Sequence, residues 1–116
     1  MRNSFIKSFG FAINGIRYCF KNEFNFRIHF IATLVVLIVS IILSVSITEW
    51  MIIIACITSV LMAELFNTAI ENLCNIIESN YHPQIKIIKD VSAAAVLIVA
   101  IAAAIIGLLI FIPKIC

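Results

Sequence analysis

The sequence predicts an all-α integral membrane protein: three transmembrane helices and an N-terminal amphipathic surface helix. Three observations predict it. The chain of 116 residues is 64% hydrophobic and 12% charged, with a mean hydropathy of +1.19, beyond the range of soluble domains. Stretches 30–48, 50–63 and 91–112 carry no charge, and about 20 apolar residues cross the hydrocarbon core. Near the N-terminus, Phe5, Phe9, Ile13, Ile16 and Phe20 fall within an arc of about 80° on a helical wheel, opposite Lys7, Asn14, Arg17 and Lys21.

The elements follow in order, as one domain over 1–116. A surface helix is expected over about 2–21, with its aromatic face in the acyl boundary and its cations toward headgroups. Residues 21–29 form a polar entry in which Glu23 is the first carboxylate and His29 reads as an interfacial hydrogen bonder. The first span is expected over about 29–47. A short turn follows, with Thr48 as N-cap and Trp50 at the interface, so the second span, about 50–77, returns antiparallel. That helix is longer than a bilayer is thick, and its last turns stand at or beyond the headgroups. Residues 78–90 read as a connector, with Asp90 capping a third span over about 90–112. Ala93, Ala94, Ala95, Ala100, Ala102, Ala103, Ala104 and Gly107 make that span thin on several sides, which points to packing between subunits.

Charge sets the orientation. Seven of the eight basic residues, Arg2, Lys7, Arg17, Lys21, Arg27, Lys86 and Lys89, lie on one side of this topology, and Lys114 lies across. The positive-inside rule makes the first side cytoplasmic. A net charge of +2 gives no case for nucleic acid. Cys19, Cys56, Cys74 and Cys116 form no CxxC pair and read as free thiols.

The second span carries the chemistry. Glu71 lies about 20° from Glu64 on the wheel, Thr68 and Asn75 lie within about 40°, and Asn67 about 60° the other way. Two carboxylates therefore share a polar face in a membrane helix, where a charge costs at least ~2.5 kcal/mol and marks a pathway or site. The plainer reading is a polar seam between helices. With Glu23, Lys89, Asp90 and Arg17 on the same leaflet, the mixture suits phosphate: Mg²⁺ takes one or two carboxylates plus phosphate oxygens, and Lys and Arg hold the remaining charge. Glu71 is nearer the cytosol and better placed for a metal. Glu64, about 10 Å deeper, is better placed for a lipid hydroxyl, as a general base. The chain has neither a GxxxxGK[ST] loop nor a kinase glycine loop.

The run Glu64-Leu65-Phe66-Asn67-Thr68-Ala69-Ile70-Glu71 resembles the E-x-x-N-[ST]-A-x-E signature of the bacterial diacylglycerol kinase family, which includes undecaprenol kinases. Asn22-Glu23-x-x-Phe26-Arg27, Gly10 with Gly15-Ile16-Arg17, and Lys89-Asp90 followed by Ser92-Ala93-Ala94-Ala95-Val96-Leu97 resemble its other blocks, in order and nearly along the whole chain. The resemblance implies a homotrimeric helical bundle in the bacterial cytoplasmic membrane, with active sites shared between subunits and facing the cytoplasm. It implies an ATP- and Mg²⁺-dependent kinase acting on the hydroxyl of a membrane lipid, diacylglycerol or undecaprenol. It also implies that Glu64 is the catalytic base, that Asn67 positions the reacting groups, that Glu23 and Glu71 hold Mg²⁺, and that Lys89 and Asp90 serve the nucleotide. Asn75 departs from the family's usual Asp, and Ser4 stands where some members have arginine. The NTAIE wording and the FRIH entry look more like the undecaprenol branch. The rival from another class is a small oligomeric proton-coupled transporter using Glu64.

Overall fold

The computed structural model describes residues 2–116, with side chains from Ser4 onward; the side chain of Arg2, counted above among the cations, lies outside the described residues. Four helices follow one another: α1 (Arg2–Asn22), α2 (Phe24–Ile42), α3 (Ile47–Ile77) and α4 (Pro83–Ile115). The described residues contain no strand. α2, α3 and α4 are each long and apolar enough to cross a membrane.

One residue separates α1 from α2. Glu23 takes an extended conformation (φ −114°, ψ 108°), while its N–H still donates to the Cys19 carbonyl at 2.9 Å. Arg27 secures this elbow. Its Nη1 donates to the carbonyls of Phe20 (3.0 Å) and Lys21 (2.9 Å), which satisfies acceptors left open at the end of α1. The elbow starts α2 at Phe24, about five residues before the span expected from hydropathy. The segment 24–29 carries helix-compatible polar residues, and Arg27 is needed as part of the joint.

The turn between α2 and α3 passes through Ser44 at φ 51°, a conformation uncommon for a residue with a side chain. Ser46, and not Thr48, caps α3. The Ser46 hydroxyl accepts from the Glu49 N–H, and the Glu49 carboxylate accepts from the Ser46 N–H. This reciprocal pair satisfies two free donors, so α3 begins a turn earlier than expected.

α4 also starts early. His82 caps it, its Nδ1 accepting from the Gln84 N–H at 3.2 Å, and Pro83 takes the first helical position, where its missing N–H is no loss. Asp90 is therefore mid-helix, paired with Lys86 at 2.7 Å, and is not the cap. The connector shrinks to residues 78–82.

α3 is central, with its most extensive packing against α4, less against α2 and least against α1. The small interior contains Phe26, Ile53 and Val60, together with Ser40, Glu64, Thr68 and Ser92. Large apolar side chains cover the outside, among them Ile38, Phe66, Leu97 and Leu109, as a lipid-facing surface requires.

Candidate active site on the polar face of α3

Seventeen residues along α3 from its start place Glu64 about 26 Å up the helix, and Glu71 follows about 10 Å later. Both stand toward the end that carries the elbow and the 78–82 connector. The helical period that put them on one face also separates their neighbours. Glu64 and Thr68 are buried, at 3% and 4% exposure, while Asn67 and Glu71 are half-buried and Asn75 is exposed.

Each neighbouring helix meets a different part of this face. From α2, His29 Nε2 comes within 3.1 Å of Glu64 Oε1. From α4, the Ser92 hydroxyl donates to Asn67 Oδ1 at 2.7 Å. Asn67 in turn donates from Nδ2 to Glu71 Oε1 at 3.3 Å, so one amide is held at both ends and oriented by the network. From α1, Cys19 lies against Thr68. Burial pushes the Cys19 thiol up, a hydrogen bond from Thr68 pulls the other way, and the charges of Glu23 and Glu64 push it up further. Near the connector, Tyr18 Oη meets Asn72 Nδ2 at 3.3 Å, and Lys89 Nζ donates to Asn75 Oδ1 at 2.6 Å.

The structure thus gathers Glu64, Asn67 and Glu71 on one helix, with Glu23 and Glu71 in electrostatic reach of Glu64. Lys89 faces α3 beside Asn75. Asp90 is exposed and held by Lys86. Arg17 is exposed on α1 and makes no side-chain hydrogen bond or ion pair among the described residues. Two of these contacts have no signal in the sequence: neither the position of His29 in the polar entry nor that of Ser92 after Lys89-Asp90 says which helix face turns toward α3.

For a divalent cation the donors are hard carboxylate oxygens. Among the described residues no three His, Cys, Asp or Glu side chains gather into a cage. Glu23 and Glu71, both half-buried, are donors of the type Mg²⁺ takes, since it completes its shell with phosphate oxygens and water and does not need an all-protein site.

Residues 10–111 match the family described as Prokaryotic diacylglycerol kinase. The chain is similar to an undecaprenol kinase of Bacillus subtilis, at 45% identity over 97% of this chain and 91% of the relative. It is similar to a diacylglycerol kinase of Synechocystis, at 35% identity over 91% of this chain and 61% of the relative. It is also similar to a diacylglycerol kinase of Escherichia coli K12, at 34% identity over 86% and 82%. With a membrane-helix bundle, a polar face carrying two carboxylates, and a family match over most of its length, the chain belongs to the prokaryotic diacylglycerol kinase family and is a lipid kinase of the membrane.

Proposed function

We propose that this lipid kinase transfers the γ-phosphoryl group of ATP, with Mg²⁺, to the terminal hydroxyl of a membrane polyprenol of the undecaprenol type in preference to diacylglycerol. The observation that carries the reaction is the depth order on α3: buried Glu64 below, half-buried Asn67 and Glu71 above. A lipid brings its hydroxyl to the lower level and a soluble nucleotide brings phosphates to the upper one. The preference for a polyprenol rests on the FRIH entry and on the 45% identity to a relative named undecaprenol kinase.

Glu64 accepts the hydroxyl proton as that oxygen attacks the γ-phosphorus. Asn67, oriented by Ser92, holds the reacting groups in line. Glu23 and Glu71 hold the cation, and Lys89 and Arg17 meet phosphate oxygens, with Asp90 steadying Lys86 beside them. Mg²⁺, when bound, neutralises phosphate charge and lowers the barrier electrostatically. The base is only part of the rate, because such transfers rest mainly on positioning and charge stabilisation. α1 lies in the interface, and the elbow end of the bundle faces the cytoplasm of a bacterial inner membrane. α4 buries only Ser92 within the described chain, which leaves its alanine-rich faces for other copies in a homotrimer. Membership of a lipid-kinase family does not favour the proton-coupled transporter.

The test is purified protein in mixed micelles with labelled ATP and both lipids in competition. The polyprenol is expected to take most of the label, and labelling should vanish without Mg²⁺. Equal labelling of the two lipids overturns the preference, and unchanged labelling in Glu64→Gln overturns the base.

A further inference from the structure

The residue proposed as base has a neighbour without an assigned task. His29 lies near the start of α2, and its Nε2 is 3.1 Å from Glu64 Oε1. Among the described residues it is the only group at ion-pair distance from that carboxylate. The surrounding charges are of the wrong sign to replace it: Glu23 at the elbow and Glu71 on α3 are the other titratable groups acting on Glu64. From α1 the near group is the Cys19 thiol, and from α4 the Ser92 hydroxyl is committed to Asn67. A buried carboxylate needs a partner, and the imidazole is the one available.

His29 also stands where the lipid would enter. A cleft of about 220 Å³ runs between α2 and α4 over α3, and His29 lines its elbow end. The remaining lining is mostly apolar, with Val36, Ile53, Val60 and Ile110 among it. The His29 side chain is 26% exposed and that of Glu64 4%. A hydroxyl carried along the cleft therefore passes the imidazole before it reaches the carboxylate.

We propose that His29 is a positioning residue for phosphoryl transfer, holding one oxygen of the Glu64 carboxylate so that the other faces the alcohol arriving through the cleft. This rests on the reading of Glu64 as base. In the step itself the alcohol O–H bond breaks, its proton passes to Glu64, the oxygen bonds to the γ-phosphorus, and the bond to the bridging oxygen breaks with its electron pair leaving on ADP. His29 neither gains nor loses a proton. Its task is geometric, and a ring suits it, because imidazole can sit at the edge of hydrocarbon in neutral form where a lysine would be drawn to water.

A residue that merely packed α2 on α3 would affect folding and every kinetic constant together. The test is a double-mutant cycle in lipid nanodiscs, with kcat and KM measured for MgATP and for the lipid alcohol, and nucleotide binding followed by a fluorescent ATP analogue. His29→Ala is expected to lower kcat about 10- to 100-fold, the scale of a small misplacement of a reacting group, with KM for MgATP within about twofold. His29→Gln, which keeps an N–H at similar reach, is expected to recover most of that loss. In a Glu64→Gln background, His29→Ala is expected to cost nothing further. If His29→Ala does not bind nucleotide, His29→Leu, which keeps the volume, takes its place in the cycle. Wild-type kcat in the single variant, or an equal further loss in the Glu64→Gln background, overturns the proposal. Full activity in Glu64→Gln alone overturns the base assignment instead, a result that does not involve His29.

Discussion

Glu49 and Glu71 stand on the same helix at opposite ends of the bundle, and their surroundings differ in kind. Glu49 is fully engaged: its carboxylate accepts from the Ser46 N–H at 2.9 Å and meets Lys114 Nζ at 3.0 Å. Glu71 accepts one long hydrogen bond from an uncharged amide. The nearby cation repeats the pattern, since Lys89 donates to the neutral Asn75 and makes no ion pair among the described residues. At the α2–α3 turn, opposite charges close on each other and tie α4 to α3. At the elbow end Lys86 closes on Asp90, but Glu71 and Lys89 are left without a charged partner among the described residues. Open charges in or near hydrocarbon are costly, so keeping them uncommitted makes sense only where a ligand completes the set.

The largest break in this contrast comes from Glu64→Gln. It is expected to lower kcat about 10²- to 10⁴-fold, the usual contribution of a positioned base, while nucleotide binding persists. Next is Glu71→Gln, for which the Mg²⁺ concentration giving half-maximal rate should rise about tenfold or more, as read from a metal titration at fixed ATP. Ser92→Ala is a smaller change. It frees one end of the Asn67 amide and should cost about 1 kcal/mol, on the order of fivefold in kcat, with a matching loss in thermal stability. Glu49→Gln should be smallest, leaving kcat within about twofold in the same assay. If Glu49→Gln and Glu71→Gln gave equal losses of activity, the contrast between the two ends would fail.

Most of this arrangement can be read from the residues before any coordinates, and what cannot has a physical reason. Periodicity places Glu64, Asn67, Thr68 and Glu71 on one face because a single helix obeys one period. Burial within the bundle then separates them, with Glu64 inside and Glu71 half-buried. Helix starts were harder. Hydropathy marks where lipid begins, while caps mark where backbone turns, and the two differ at Glu23, Ser46 and His82. Thr48 was the expected cap, whereas the Ser46-x-x-Glu49 pair forms the capping box. Contacts between helices were the least legible. That His29 meets Glu64, or that Ser92 meets Asn67, depends on how each helix rotates about its axis, which follows from packing all of them at once. The same holds for Lys89 and Asp90. Adjacent in sequence, they diverge by about 100° on a helix, so one turns toward α3 and the other to solvent.

The one-residue elbow has a mechanical consequence. α1 is a rod about 31 Å long, linked along the chain to α2 by the single residue Glu23 and pinned there by Arg27 and by the edge-to-face contact of Phe20 with Phe30. A 10° rocking of that rod moves its far end by roughly 5 Å. At the hinge itself the displacement is close to zero. Glu23 therefore sits at a fulcrum, the point on the arm that any tilt of α1 displaces least.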